Sequence, residues 1–245
     1  MTTENTLQRA VRFRLPDPPP RELDEVTAFE QIYDHGYLRY LAIHFGDLDT
    51  TLVTADRWMV ASPHDSRARA RRPDLLIAFN VSPENYRASN GYIVSEQGKP
   101  PDFVMEVASA STADVDTGAK RDYYAALGIP EYWRFDETGD HHGARLAGEI
   151  LEGDSYRPSP IEELAPGVLQ GHSPVLNLII RWDHGRLVWV DPATERPILT
   201  YEDSEARADE AEARADRAEA RADEAEARAR EMEEELRRLR GEEHS

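Results

Sequence analysis

Residues 101–120 read PDFVMEVASASTADVDTGAK and contain the most informative pattern of the chain. Its centre, FVMEV at 103–107, is short, apolar and rich in β-forming residues, so it predicts a buried strand and not a helix. Glu106 lies inside that strand. A lone carboxylate in an apolar sheet is strongly unfavourable, and Glu106 must therefore be neutralised, hydrogen-bonded or bound to a metal ion.

Two further polar residues accompany this strand. Asp74 opens another short apolar strand in the run RRPDLLIAF at 71–79. Lys120 lies about four helical turns beyond Glu106. Two acids and a lysine on adjacent elements are the parts of a divalent-metal phosphodiesterase site.

The segment that follows predicts a strand, helix and strand in succession. Residues 109–112, SAST, suit the N-cap region of a helix that ends at Gly128, and EYWRFD at 131–136 follows as an aromatic strand. Because such crossovers are right-handed, the two strands are expected to be parallel. Lys120 can then reach the strand ends.

Upstream of this unit, residues 21–45 carry apolar side chains every three or four positions. They predict one amphipathic helix, or two helices broken at Gly36. The run TLVTADRWMV at 51–60 predicts a hairpin. The turn-rich run at 81–101, with Asn90 and Gly91 as its turn signal, is long enough to form a flap over the site.

Downstream, the pattern predicts mostly strands. ARLAGEILEG at 144–153 forms one, and the runs at 175–182 and 186–191 form a hairpin that extends or flanks the core sheet. The histidines of this region show no metal-ligand spacing and are predicted to be surface residues: His141, His142 and His172.

These motifs, in this order, resemble the bacterial restriction-endonuclease-like family sometimes called Uma-two, a branch of the PD-(D/E)XK nuclease superfamily. The matching text is RRPDLLIAF, GKPPDFVMEVASAST, the spacing from Asp116 to Lys120, Tyr124, and GIPEYWRFD at 128–136. The resemblance covers roughly residues 30–190. It implies an α/β fold in which a restriction-endonuclease-like mixed sheet is flanked by helices and extra β-hairpins.

The resemblance also implies a chemistry. Asp74 and Glu106 would hold Mg²⁺ or Mn²⁺ with a backbone carbonyl near Val107 and waters, and Lys120 would orient the attacking water or stabilise the developing charge. The superfamily places its lysine two residues after the acid, where this chain has Ala108. The role is therefore carried to Lys120 on the following helix.

Simpler interpretations remain open for each of these residues. Asp74 can be a capping or turn residue after proline, and Glu106 can lie at a sheet edge bonded to Arg134 or another arginine. Lys120 can be a solvated helix lysine, or pair only with Asp116. The aromatic residues of the region are most simply core residues: Tyr124 and Trp133.

The net charge of −19 argues against broad adhesion to nucleic acid, because such affinity comes from lysine and arginine. Residues 201–245 carry a net −8, with 17 acids and 9 arginines, so residues 1–200 carry −11. A local basic patch precedes Asp74, and it either faces DNA or is a solvated charged loop: Arg67, Arg69, Arg71 and Arg72.

The chain has no cysteine, which excludes disulfides, thiolate metal sites and cysteine nucleophiles. No run has the apolar length of a signal peptide core or a membrane span, so a cytoplasmic location is expected. We expect an extended lead-in at 1–20, the nuclease domain at 21–200 and a coiled-coil tail at 201–245.

The tail repeats every seven residues. Its a and d positions are mostly alanine, with glutamates at e and arginines at g, which favours a parallel homodimer or small homo-oligomer. A solvated single helix is the alternative, because alanine and i,i+4 charge pairs also stabilise a lone helix. The seam consists of Ala208, Ala211, Ala215, Ala218, Ala222, Ala225, Ala229, Met232, Leu236 and Leu239.

Two functions are compatible with these patterns. The first is a metal-dependent endonuclease that cuts DNA. The second is a nuclease-fold protein with little or no cleavage, whose tail serves oligomerisation or partner binding. The intact acid pair favours the first, and the acidic surface favours the second.

Overall fold

The structure is a computed structural model that describes residues 13–19, 32, 37–65, 69–109, 116–199 and 201–242, the side chains of the last range only between 209 and 232. The chain divides into two compact units, Met1–Ile198 and Leu199–Ser245. Of the expected lead-in, residues 13–19 are described. Leu15 among them is buried, and its amide donates to the carbonyl of Ser89.

The first unit contains thirteen described strands and a smaller number of short helices. The helices are α1 Tyr37–Phe45, α2 Pro83–Ser89, α3 Val94–Gln97 and α4 Arg121–Leu127, with a π-helical turn at Asp116–Lys120 before α4. The strands are β1 Leu52–Thr54, β2 Met59–Val60, β3 Leu75–Ala78, β4 Tyr92–Ile93, β5 Phe103–Val107, β6 Glu131–Phe135, β7 Leu146–Glu152, β8 Ser155–Pro158, β9 Glu162–Ala165, β10 Val168–Ser173, β11 Leu178–Asp183, β12 Arg186–Asp191 and β13 Arg196–Pro197.

The central sheet is mixed and has six strands in the order β1-β3-β5-β6-β7-β8. β5 and β6 are parallel, as the crossover rule predicts, and every residue of β5 is buried. β3 runs antiparallel to β5, with Leu75 opposite Met105. The start of β3 and the end of β5 therefore meet at one rim of the sheet.

The connection from β5 to β6 carries the helix that the sequence predicts. α4 ends at Gly128, whose φ of 77° is the left-handed conformation that glycine adopts most easily. Of the predicted N-cap region, Ser109 is described and buried, whereas residues 110–112 lie outside the described residues.

A second sheet flanks the first. Its five antiparallel strands follow the order β13-β12-β11-β10-β9. The predicted hairpin is confirmed as β11 and β12, with positive φ angles at His184 and Gly185 in the turn. Apolar residues of both sheets join one core cluster, in which Met105 and Trp133 pack with Ile180 and Trp189.

The opposite face of the central sheet is covered by α4 and an aromatic cluster. Tyr124 on α4 packs edge-on against Tyr132 of β6, which in turn contacts Tyr156 of β8. Val104 and Glu106 share this face, because alternate residues of β5 point to opposite sides.

The upstream half of the chain differs from the sequence prediction in its strand pairing. The hairpin at 51–60 is wrong, because β1 pairs with β3 whereas β2 pairs with β4 in a separate two-stranded sheet. Of the helix predicted over 21–45, α1 is described and Ile32 is buried and helical. The remaining residues of that prediction lie outside the described part of the chain.

The predicted flap at 81–101 is also wrong. This run forms α2, β4 and α3, and Tyr92 and Ile93 are buried. Ser82 caps α2 through its hydroxyl, and the Gln97 side chain bonds both the amide and the carbonyl of Ser82. These contacts fix both ends of the run, which is therefore a packed element and not a loop over the site.

The second unit is the 42-residue helix α5, Tyr201–Glu242. Between residues 209 and 232 its side chains are almost all exposed, and its ion pairs are of the i,i+4 type, such as Arg214 with Glu210. No helix in the described ranges is both long enough and apolar enough to span a membrane.

Candidate active site

Glu106 is fully buried and engages two side chains. The hydroxyl of Tyr124 donates to Oε1 at 2.6 Å, and the ammonium of Lys120 donates to Oε2 at 2.8 Å. β5 is an interior strand, so the alternative of a sheet-edge glutamate bonded to Arg134 is wrong. The guanidinium of Arg134 pairs instead with Glu149.

Asp74 lies directly before β3 and is 7% exposed. Its Oδ2 accepts the backbone N–H of Val107 at 2.8 Å. This bond crosses from β3 to β5 and ties Asp74 to the residue that follows Glu106. Residues 33 positions apart in the chain are thereby joined at one rim of the sheet.

Lys120 lies at the end of the π-helical turn, with only 13% of its side chain exposed. Its Nζ is 2.8 Å from Glu106 Oε2 and 2.7 Å from Asp116 Oδ1. The alternatives of a solvated lysine, or one paired only with Asp116, are therefore wrong. Isolated π-turns of this kind are frequent at functional sites.

The electrostatics of the cluster follow from burial. Burial raises the pKa of Glu106 well above its usual value, Lys120 opposes this, and Asp74 and Asp116 reinforce it. Burial alone would lower the pKa of Lys120, but the carboxylates of Glu106, Asp116 and Asp74 raise it above its usual range. The carboxylates of Glu106 and Asp116 thus contact one ammonium in a poorly solvated site.

Two residues of this cluster were not predicted as site residues. Asp116 has a fully buried side chain, and its Oδ2 lies 3.1 Å from Nε2 of His142, whose side chain is also fully buried. The prediction that His142 is a surface residue is wrong. Asp116 could have been found from its position four residues before Lys120, but no sequence pattern links it to a histidine 26 residues later.

The other aromatic and histidine predictions have mixed outcomes. Tyr124 and Trp133 are fully buried core residues, as expected, although Tyr124 also donates to Glu106. Burial and the neighbouring Glu106 carboxylate raise the pKa of the Tyr124 hydroxyl, so it remains a donor. His172 is exposed and His141 is partly exposed.

The arginines before Asp74 do not form a free basic patch among the described residues. Arg72 pairs with Asp56 and lies over the ring of Trp58, and Arg71 lies 4.8 Å from the ring centre of Tyr123. Arg69 is exposed, and Arg67 lies outside the described residues. Two of the four guanidiniums are therefore engaged within the protein.

The donor set fits a magnesium-like ion. Within the described ranges no three His, Asp or Glu side chains come together as a metal cage. Mg²⁺, however, keeps several waters and is commonly held by one or two carboxylates together with substrate phosphates. Asp74 and Glu106, which lie at the same rim of the sheet, are the carboxylates that could serve such an ion together with waters.

The fold and the site define an α/β protein with a buried carboxylate pair and a lysine at one rim of a mixed sheet. The chain belongs to the Uma2 family, described as "Putative restriction endonuclease", whose family model matches residues 38–178.

Comparison with solved structures gives a match to "a putative nuclease belonging to DUF820" from Anabaena variabilis ATCC 29413. The two chains are 10% identical, the match covers 60% of this chain and 75% of the other, and the TM-score is 0.37. No curated protein matches this chain.

Proposed function

We propose that this protein is a divalent-metal-dependent endonuclease that hydrolyses phosphodiester bonds of DNA. One observation carries the proposal. Lys120 donates a hydrogen bond to the buried Glu106, and Asp74 accepts the backbone N–H of Val107 on the same strand. Membership of the Uma2 family, described as "Putative restriction endonuclease", supports a hydrolytic role.

The metal ligands in this proposal are Asp74, Glu106 and the backbone carbonyl of Val107, with waters. Mg²⁺ or Mn²⁺ bound there would supply a Lewis acid and a bound water of lowered pKa. The chain orients both carboxylates in advance. The Val107 amide holds Asp74 and the Tyr124 hydroxyl holds Glu106, so neither side chain has to be ordered when a cation binds.

Lys120 is the catalytic cation in this proposal. Its ammonium would orient the attacking water or stabilise the charge that develops on the phosphoryl oxygens. Of the 29 lysine and arginine residues of the chain only Lys99 and Lys120 are lysines. The compact ammonium of Lys120 lies between two carboxylates, where a planar guanidinium would have a different geometry.

A second candidate function is oligomerisation or partner binding through α5, with weak or no cleavage. The 42-residue helix, with its heptad spacing, favours this candidate. The acidic charge of the chain and the engaged arginines are consistent with it, because both reduce affinity for a phosphate backbone.

The test is a nicking assay on supercoiled plasmid and single-stranded circular DNA with Mg²⁺ or Mn²⁺. We expect Asp74→Asn and Glu106→Gln to abolish nicking. Lys120→Met should lower the rate by roughly 10²-fold or more, the typical loss when one preorganised electrostatic group is removed, and Lys120→Arg should not restore it fully.

Two matched controls accompany these variants. Glu131→Gln changes a buried carboxylate that bonds Trp133 and Ser173, and Lys99→Arg changes the other lysine, which pairs with Asp102. Both should retain nicking. Equal nicking by wild type, Asp74→Asn and Glu106→Gln would mean that a contaminant cuts the DNA and would refute the proposal.

A further inference from the structure

We propose that Asp116 and His142 are positioning residues for Lys120. Asp116 keeps the ammonium at the site when Glu106 coordinates a metal ion, and His142 fixes Asp116 for this purpose. The proposal rests on the function proposed above and adds two residues that act through Lys120.

The starting point is an ammonium that two carboxylates share. Lys120 Nζ lies 2.8 Å from Glu106 Oε2 and 2.7 Å from Asp116 Oδ1, and both carboxyl side chains are fully buried. The contact with Glu106 is a hydrogen bond, and the contact with Asp116 is an ion pair. The structure therefore gives Lys120 two separate anchors.

A cation held by Glu106 would change this balance. It would share the carboxylate charge and would repel the nearby ammonium. Lys120 is 13% exposed, so it has a route to solvent. Asp116 is the anchor that remains, and it determines whether the ammonium stays beside the reacting phosphate.

Asp116 is itself held from two sides. Nε2 of His142 lies 3.1 Å from Asp116 Oδ2, and it is the donor, because an ionised carboxylate only accepts. The hydroxyl of Tyr132 donates to the carbonyl of Asp116 at 2.8 Å. The Nδ1 atom of His142 is buried and has no hydrogen-bond partner among the described residues, so the ring serves Asp116.

The loop that brings His142 into the core is organised by another buried acid. The carboxylate of Asp136 accepts the backbone N–H groups of Gly139, His141 and His142 at 2.7–2.8 Å. Asp136 immediately follows β6, the strand beside Glu106. The loop is thus fixed to the same sheet rim as the carboxylate pair, which gives His142 a defined position.

The lysine content of the chain makes a direct test possible. Full-length protein labelled with ¹⁵N-lysine carries only two labelled ammonium groups, Lys99 and Lys120. Lys120→Met assigns the two signals, and Lys99, 32% exposed, is the internal reference. In the wild type, we expect the Lys120 signal to shift when Mg²⁺ is added and to remain protected from exchange with water.

Asp116→Asn should separate the two anchors. Its Lys120 signal should be protected without metal, through Glu106, and should be lost to rapid exchange when Mg²⁺ is added. His142→Leu should show the same loss in part, and His142→Gln, which retains a donor, should behave like the wild type. Glu131→Gln controls for loss of a buried carboxylate elsewhere in the sheet.

Nicking kinetics provide the second readout. For Asp116→Asn and His142→Leu we expect kcat to fall roughly 10–100-fold, the usual effect of removing a residue that orients a metal site. The KM for DNA should stay unchanged, because neither side chain is exposed to substrate. If Asp116→Asn does not fold, the comparison of His142→Leu with His142→Gln tests the proposal.

The outcomes distinguish this proposal from the one on which it rests. A wild-type spectrum that Mg²⁺ leaves unchanged would overturn the metal site. The positioning role alone would be overturned by two results together: a wild-type spectrum that responds to Mg²⁺, and a Lys120 signal in Asp116→Asn that stays as protected from exchange with water in Mg²⁺ as in the wild type.

Discussion

At the scale of single residues, Glu106 shows how function and stability oppose each other. Its carboxylate lies without solvent among Asp74, Asp116 and one ammonium, and burial raises its pKa. The folded protein therefore binds a proton at Glu106 more readily than the unfolded chain does. The free energy of unfolding therefore decreases at every pH at which Glu106 is ionised in the unfolded chain but stays protonated in the folded protein.

We accordingly expect Glu106→Gln to be more stable than the wild type at pH 7. Below the ordinary carboxyl pKa of 4.5 both states of the wild type are protonated at this position. As the pH rises past that value, the wild type loses stability and the variant does not. Thermal unfolding from pH 4 to pH 8 would measure this. An advantage that is equal at both ends of the range would contradict the account.

The sequence identifies buried, hydrogen-bonded acids where a charge conflicts with its apolar surroundings. Glu106 stands out because it interrupts an apolar strand, and Asp74 because it opens one. Asp116 and His142 could not be found in this way, since each looks like an ordinary polar residue of a helix start or a loop. Their burial results from the packing of loop 136–142 against the π-helical turn, which no local pattern encodes.

At the scale of elements, Trp133 joins the two sheets through an unusually close fit. A Cβ atom on Gly148 of β7 would lie 2.7 Å from the indole, and one on Gly171 of β10 would lie 2.8 Å from it. Trp133 is fully buried between these two strands. The absence of a side chain at both glycines is what allows the ring to occupy the space between the sheets.

Gly148→Ala and Gly171→Ala should therefore each destabilise the fold by about 1–3 kcal/mol, the usual effect of overpacking a core. Denaturant unfolding would measure the loss. Gly118→Ala is the matched control, because no atom lies within 4 Å of its added Cβ. Trp133→Phe should recover part of the stability of Gly148→Ala, and an Ala variant as stable as the wild type would refute the proposed fit.

Element identity was easier to predict than element pairing. The unit from β5 through α4 to β6 followed from local periodicity, a glycine stop and the handedness of crossovers. The runs at 52–54 and 59–60 were also recognised as strands, but their partners come from distant parts of the chain. Short strands carry too few residues to specify a partner, so proximity in sequence suggested a hairpin that does not form.

At the scale of the whole molecule, the chain combines a compact unit with a long, highly charged helix. Met232, at a seam position of the helix, is 65% exposed in the single chain. An exposed methionine followed by two leucines at heptad spacing is expected to be covered by another helix. The alanines before it bury little area, so association should depend mainly on this end of the seam.

We therefore expect the full-length chain to form a parallel homodimer or small homo-oligomer that Met232→Glu with Leu236→Glu converts to monomers. Light scattering coupled to size exclusion would measure the mass. Ala227→Glu, outside the seam of the same helix, adds a like charge and should leave the oligomer intact. A monomeric wild type would favour the solvated single helix instead.

Because the chain has only two lysines, cleavage by a lysine-specific protease can measure local opening at Lys120. A protease that cleaves after lysine meets Pro100 after Lys99, a bond such enzymes cut poorly, which leaves the bond between Lys120 and Arg121 as the effective target. That bond joins the π-helical turn to α4, and the protease must bind the Lys120 side chain, whose ammonium is held between Glu106 and Asp116. The rate of this single cut therefore reports how often the π-helical turn opens and releases Lys120, without any substrate or label.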